Sequence, residues 1–160
     1  MIKRLLTSIA LAFFCVTPAH AKLDPGTWQL LRTVDKYVTV KLDPDVCTTD
    51  FYGYWDSRNK ELVICTHGEW NAEDHDTVRH EVWHIIQLCH TPGVKYLQPV
   101  MSDPQLFELM VRSQVTPFEE QEIIKLYPPA QRKAELEAYV MAAQMTAKEV
   151  ERKFLSACIE

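Results

Sequence analysis

Two histidines and a glutamate, arranged as His80-Glu81-Val82-Trp83-His84, are the residues of this sequence best suited to chemistry. If the segment is helical, His80 and His84 lie on one face, where both imidazoles can bind the same metal ion. Glu81 lies about 100° round the helix from His80, close enough to take a proton from a water at that ion without being a ligand. Zinc lowers the pKa of bound water to about 7, so this HExxH spacing predicts hydrolysis by an activated water.

The residues around this motif favour a metal site over a chance pattern. Apolar side chains occupy nearly every side of the segment: Val78, Val82, Trp83, Ile85, Ile86, Leu88 and Cys89. A helix that is apolar nearly all round is a buried one. Because a buried polar group without a partner costs a few kcal/mol, the two histidines and the glutamate need partners, and a metal ion supplies one.

A catalytic zinc site needs a third protein ligand, and the segment Glu135-Leu136-Glu137-Ala138-Tyr139 supplies it best. Together with the HExxH motif, this segment resembles the gluzincin metallopeptidases, in which a glutamate ligand follows within an E-x-x-A pattern on a later helix. The resemblance covers these two motifs and the order of the elements. It implies a minimal, minigluzincin-like zinc peptidase.

Carried over residue by residue, the resemblance implies that His80, His84 and Glu135 bind one Zn²⁺ per chain. Glu81 is then the general base. On a helix Glu137 points about 160° away from Glu135, so only one of these glutamates can bind the ion. Glu135 is favoured, and Glu137 stays open as the alternative.

Other residues are candidates for supporting roles. Tyr139 stands where such families often have an aspartate, and it lies on the same helix face as Glu135, where it can orient a metal ligand. His75, Tyr96 and Tyr127 are candidates for stabilising the oxyanion of the transition state, with nothing in the sequence to choose among them. Residues 61–65 fit the edge strand that holds an extended peptide in this family.

The elements that must position these residues change in type along the chain. Alternating and β-branched residues in the N-terminal half predict strands at 37–42, 51–55 and 61–65, with a turn at 56–59. Start signals such as Asp103-Pro104 and the capping pair Thr146 and Glu149 predict helices at 73–90, 104–114, 117–126, 130–145 and 147–158. This order indicates an α+β, zincin-like domain with a small N-terminal antiparallel sheet, a central HExxH helix and a C-terminal helical part.

Residues 1–21 have the features of a secretory signal peptide: a basic head at 1–4, an apolar run at 5–16 and Ala-His-Ala at 19–21. The apolar run is shorter than the roughly 20 residues that a membrane-spanning helix needs. We therefore expect cleavage after residue 21 and one metallopeptidase domain at 22–160. The mature chain is expected in the periplasm or outside the cell, without stable membrane association.

The charge of the chain argues against nucleic acid as a partner. The formal net charge is −5, and it becomes −7 without Lys3 and Arg4, because 15 basic residues then face 22 acidic ones. No basic stripe is visible.

Four cysteines follow the expected cleavage site, an even number that favours disulfides in an exported chain. Three pairings are possible. We favour Cys47–Cys65, at the ends of an apparent hairpin, and Cys89–Cys158, between the central and C-terminal helices.

Taken together, these features predict an exported zinc metallopeptidase that acts on a peptide or protein substrate. The alternative is a zincin-like exported module that has lost catalysis and binds or inhibits a partner. A cleft for a chain and a donor for the oxyanion distinguish the first from the second.

Overall fold

The computed structural model describes residues 23–48, 52–113 and 115–160. The expected signal peptide at 1–21 lies outside the described residues. The elements are α1 (Pro25–Val34), β1 (Thr39–Leu42), β2 (Gly53–Asp56), β3 (Glu61–Ile64), α2 (Ala72–His90), α3 (Asp103–Ser113), α4 (Pro117–Leu126), α5 (Arg132–Gln144) and α6 (Ala147–Cys158). The described part of the chain is therefore an α+β fold with one small sheet.

The sheet is mixed, with the strand order β1-β3-β2. β3 pairs in parallel with β1 and antiparallel with β2. The prediction of an antiparallel sheet is thus wrong for β1, and β3 cannot be the free edge that residues 61–65 were expected to form. The physical reason is hydrophobicity: Leu62, Val63 and Ile64 are almost completely buried, and the central position removes most apolar surface from water.

Helix α1 was not predicted, because the N-terminal half was interpreted as strands. It begins at a local signal: Asp24 accepts hydrogen bonds from the backbone N–H groups of Gly26 and Thr27, and Pro25 is the first helical residue. Its apolar face, which includes Leu30 and Val34, is buried in the common core. There α1 packs on α2 and α6.

The five helices predicted after residue 72 are all present, with ends within two residues of the prediction where the chain is described. The capping box of Thr146 and Glu149 is confirmed at the start of α6. Asp103 differs from its expected role as a cap, because it is the first residue of α3 and its carboxylate binds Lys133. Ser102 instead bonds to the Gln105 side chain at this helix start.

Both expected disulfides are present, Cys47–Cys65 and Cys89–Cys158. The second joins the last turn of α2 to the end of α6. Disulfides form and persist in oxidising compartments, which indicates an extracellular or periplasmic protein. Among the described residues, no helix has the length and apolar character needed to cross a membrane.

Helix α2 lies at the centre of the fold. It packs against α1, α5, α6 and the strands β2 and β3. Its start is fixed by a capping box between Asn71 and Asp74, and the buried side chains of Val78, Val82 and Ile86 hold it in the core. The helix that carries the HExxH motif is therefore clamped on several sides, which fixes the direction of its polar side chains.

Candidate metal centre

His80 and His84 lie one turn apart on α2 and direct their Nε2 atoms to the same point. The two Nε2 atoms are 3.0 Å apart, and the rings meet edge to face with their centroids 4.7 Å apart. His84 is buried and His80 is partly buried. The spacing of four residues therefore produces the paired imidazoles that the sequence predicts.

Helix α5 packs against α2 and adds Glu135 to this pair. Its Oε2 atom lies 3.2 Å from Nε2 of His84 and 3.5 Å from Nε2 of His80. Ligand atoms at zinc–ligand distances around a tetrahedral ion are about 3.3 Å apart, so the three separations suit one ion. His80, His84 and Glu135 thus form a group that can hold a metal ion.

The hydrogen bonding of Glu135 supports this fit. Its Oε2 atom is buried and has no hydrogen bond of good geometry within the described parts of the chain. An unsatisfied buried oxygen is costly, and native structures contain few of them. A cation between this oxygen and the two imidazoles would satisfy it.

Glu137, the alternative ligand, points to the opposite side of α5. It is completely buried, and its carboxylate accepts four hydrogen bonds. The donors are Trp83 Nε1, Gln87 Nε2 and the backbone N–H groups of Val100 and Met101, at 2.6–3.1 Å. The structure therefore brings Glu135 to the histidines and uses Glu137 to join α2, α5 and the segment after α2.

His84 and Glu135 have strongly shifted pKa values. Burial opposes the charged form of His84, but its contact with Glu135 and the charge of Glu81 outweigh burial and raise the pKa of His84 to about 9. Burial likewise opposes the charged form of Glu135, but the imidazoles of His80 and His84 lower the pKa of Glu135 to about 2. The site without metal is thus a buried ion pair in which a proton takes the place of a cation.

A cavity of about 620 Å³ opens beside His80 and Glu135. Its walls include Glu81, Tyr127 and Tyr139 as well as His80 and Glu135. Burial and the nearby carboxylates of Glu135 and Glu81 raise the pKa of Tyr127, so its phenol keeps its proton over the physiological range. The Tyr139 ring meets the His80 ring edge to face at 6.4 Å.

The other oxyanion candidates lie elsewhere. His75 stacks on Trp70 with the ring centroids 5.6 Å apart, and the Lys95 ammonium lies 5.0 Å from the Tyr96 ring centroid. Neither His75 nor Tyr96 is among the described residues that line the cavity. Of the three candidates, the structure brings Tyr127 to the site.

Sequence reasoning missed Gln87, whose Oε1 atom lies 2.8 Å from Nδ1 of His84. The signal that could have found it is its position three residues after His84, on the same face of α2. A glutamine there resembles any polar helix residue until its burial is known, and Gln87 is completely buried.

Comparison with known proteins gives one family and no activity. No curated protein and no solved structure is significantly similar to the chain. A family model described as a domain of unknown function, DUF8637, matches residues 21–159. Since this match spans nearly the whole chain, the protein belongs to the DUF8637 family.

Proposed function

We propose that this protein is an exported zinc-dependent metallopeptidase that hydrolyses peptide bonds. The observation that carries the proposal is the convergence of His80, His84 and Glu135, two of which, His80 and Glu135, line an open cavity. Two imidazoles and one carboxylate are a donor set of catalytic zinc sites, which keep a further coordination position open. Structural zinc sites instead use four protein ligands, often cysteines, and the four cysteines after residue 21 are all in disulfides here.

The side chains around the ligands suit the hydrolysis of an amide. Zinc held by these donors would supply Lewis acidity, polarising a carbonyl and lowering the pKa of a water to about 7. Glu81 lines the cavity beside the ligands, where its carboxylate would take the proton of the attacking water and pass it to the leaving amine. Tyr127 would donate its phenolic proton in a hydrogen bond to the oxyanion.

The edge of the sheet suits an extended peptide as the substrate. The Cys65 amide donates to the Tyr52 carbonyl at 2.8 Å, so residues 52 and 65 are a hydrogen-bonded pair. Such pairs alternate along an antiparallel ladder, so the backbone N–H and C=O groups of Gly53 and Trp55 point away from β3. β2 ends the described sheet, and Tyr52 and Gly53 line the cavity, so a peptide can pair with β2 beside the metal ligands.

The cavity favours a peptidase over a module that only binds or inhibits. Its volume of about 620 Å³ falls within the range of ligand sites, about 300–1,000 Å³. Glu81 and Tyr127 also line it, where they would serve as a general base and a phenolic donor, and a purely binding domain needs neither. The two disulfides fit an enzyme that works outside the cytoplasm.

Metal content and peptide cleavage, measured together, test the proposal. Elemental analysis of the purified exported chain should find one zinc per chain, and a peptide library should be cleaved. Glu81→Gln should keep the zinc and lose cleavage, whereas His84→Ala and Glu135→Gln should lose both. His90→Ala is the matched control, because His90 is an exposed histidine at the end of the same helix.

The outcomes separate the two functions. Zinc without cleavage in any library would support the binding module. No zinc in the unmodified chain after loading and dialysis would overturn the metal centre itself. Cleavage that survives in Glu81→Gln would overturn the role of the base.

A further inference from the structure

Gln87 lies between the metal ligand His84 and the buried carboxylate of Glu137. It is completely buried. Its amide nitrogen donates to Oε2 of Glu137 at 2.7 Å and to the backbone carbonyl of Ala134 at 2.9 Å. Both protons of the amide group therefore have acceptors on α5.

These two bonds fix the orientation of the Gln87 amide. Glu137 Oε2 and the Ala134 carbonyl are acceptors, so the NH₂ group must face them and the oxygen must face the other way. That oxygen is the atom 2.8 Å from Nδ1 of His84. An amide oxygen only accepts hydrogen bonds, so Nδ1 of His84 must carry a proton.

Glu137 is itself held in place by the segment that follows α2. Besides Gln87, it accepts hydrogen bonds from Trp83 Nε1 and from the backbone N–H groups of Val100 and Met101. With donors on all sides, its carboxylate cannot turn without breaking several bonds. The orientation of Gln87 is therefore set by a network that spans α2, α5 and residues 100–101.

We infer that Gln87 is a positioning residue that holds His84 as the Nδ1–H tautomer, with Glu137 anchoring Gln87. This inference rests on the proposed metal site. With the proton on Nδ1, the neutral ring keeps its lone pair on Nε2, the atom that faces Glu135 and His80. A metal-binding histidine needs such a partner on its other nitrogen.

A neutral amide suits this position better than a carboxylate. Glu81 and Glu135 are buried near His84, and Glu137 is buried against Gln87. A fourth acid at position 87 would place a second carboxylate oxygen against Glu137 at about the distance of the present hydrogen bond, with no donor between them. The amide both accepts from His84 and donates to Glu137, which a carboxylate cannot do.

Zinc affinity of the folded chain tests the inference. Gln87→Leu keeps the size of the side chain but removes the acceptor for His84, while Glu137 keeps its other three donors. Zinc binding, measured by competition with a chromophoric chelator, should weaken about 10- to 100-fold. Ile86→Val is the control, because Ile86 is a buried neighbour on α2 that belongs to the apolar core.

Nitrogen NMR of the zinc-loaded, unmodified chain provides a second readout that does not depend on a variant. The ¹⁵N shifts of His84 should show a protonated Nδ1 and a metal-bound Nε2. A His84 ring bound through Nδ1, or a Gln87→Leu chain that binds zinc as tightly as the unmodified chain, would overturn the inference and leave the metal site standing. Absence of zinc binding in the unmodified chain would overturn both.

Discussion

Glu135 and Glu137 lie two residues apart on α5, and the same substitution should affect them in opposite ways. Glu135 faces the histidines, with its Oε2 atom 3.2 Å from Nε2 of His84. Glu137 faces four hydrogen-bond donors on the other side of the helix. Glu135→Gln should therefore weaken metal binding, whereas Glu137→Gln should lower the free energy of unfolding.

The cost of Glu137→Gln follows from its four donors. An amide offers one oxygen, so it can serve the three donors at Oε2, but its NH₂ group then faces the Met101 N–H, which lies 2.6 Å from Oε1 in the unmodified chain. One unsatisfied donor costs about 1–3 kcal/mol, and hydrogen bonds to a neutral acceptor are weaker than those to a charged one. We expect a loss of about 3 kcal/mol in the free energy of unfolding, or roughly 10 °C in the melting temperature.

The effect of Glu135→Gln appears in the stabilisation by zinc. If the unmodified chain binds zinc as proposed, free zinc at 100 times Kd should stabilise it by about 2.7 kcal/mol. If the substitution weakens binding about 100-fold, the same zinc concentration stabilises the variant by only about 0.4 kcal/mol. Glu137→Gln should keep about 1.4 kcal/mol or more, because even a tenfold weakening through Gln87 leaves zinc at ten times Kd.

Thermal and chemical unfolding with and without zinc measure both quantities on the same samples. Without zinc, Glu137→Gln should have a lower free energy of unfolding than the unmodified chain, and adding zinc should raise it. Adding zinc should leave the free energy of unfolding of Glu135→Gln almost unchanged. The reverse pattern, with the zinc response kept in Glu135→Gln and lost in a folded Glu137→Gln, would refute the assignment of the third ligand.

Three further predictions concern the stability of the chain towards urea. The pKa of His84 is about 9 in the folded chain, against an ordinary 6.5, so its contribution to stability is complete below pH 6.5 and is lost as the pH rises through 9. The pKa of Glu135 is about 2 in the folded chain, against an ordinary 4.5, so its contribution is present above pH 4.5 and is lost as the pH falls through 2. The free energy of unfolding, measured in urea with a chelator present, should therefore be greatest between about pH 4.5 and 6.5. A free energy of unfolding that stays constant up to about pH 9 would contradict the ion pair. Replacing Cys89 and Cys158 together by serine should cost about 4 kcal/mol, because the bridge closes a loop with a sequence separation of 69; equal urea midpoints for the variant and the unmodified chain would refute this. Gly53→Ala should cost about 1–3 kcal/mol in the same assay, because its Cβ would lie 2.7 Å from a carbonyl oxygen of β3; an unchanged midpoint would mean that β2 yields without strain.

Much of the fold could be predicted from the sequence because its signals are local. The capping box of Thr146 and Glu149 sets the start of α6 through bonds within four residues. The missed helix α1 begins with Asp24-Pro25, a signal of the same kind as Asp103-Pro104. The same dipeptide thus has two roles, since Asp24 caps its helix and Asp103 binds Lys133 on another helix.

The order of the strands in the sheet could not be predicted from local signals. The segments of β1, β2 and β3 were predicted approximately, with residue 51 of one prediction outside the described residues. The strand order was not predictable, because no local feature says that the third strand lies between the first two. Burial decides it: β3 is the most apolar strand, so it takes the centre and leaves β2 as the edge beside the cavity.

By itself, the sequence determined that His80 and His84 share one face of a helix with Glu81 beside them, since helix geometry alone sets that arrangement. Only the tertiary structure shows that Glu135, and not Glu137, faces the two histidines, because this depends on how α5 is rotated against α2. The same packing brought Tyr127 to the cavity and buried the Gln87 amide against Ala134 and Glu137 of α5. These contacts join residues far apart in the chain, and they exist only when the apolar faces of the helices have met.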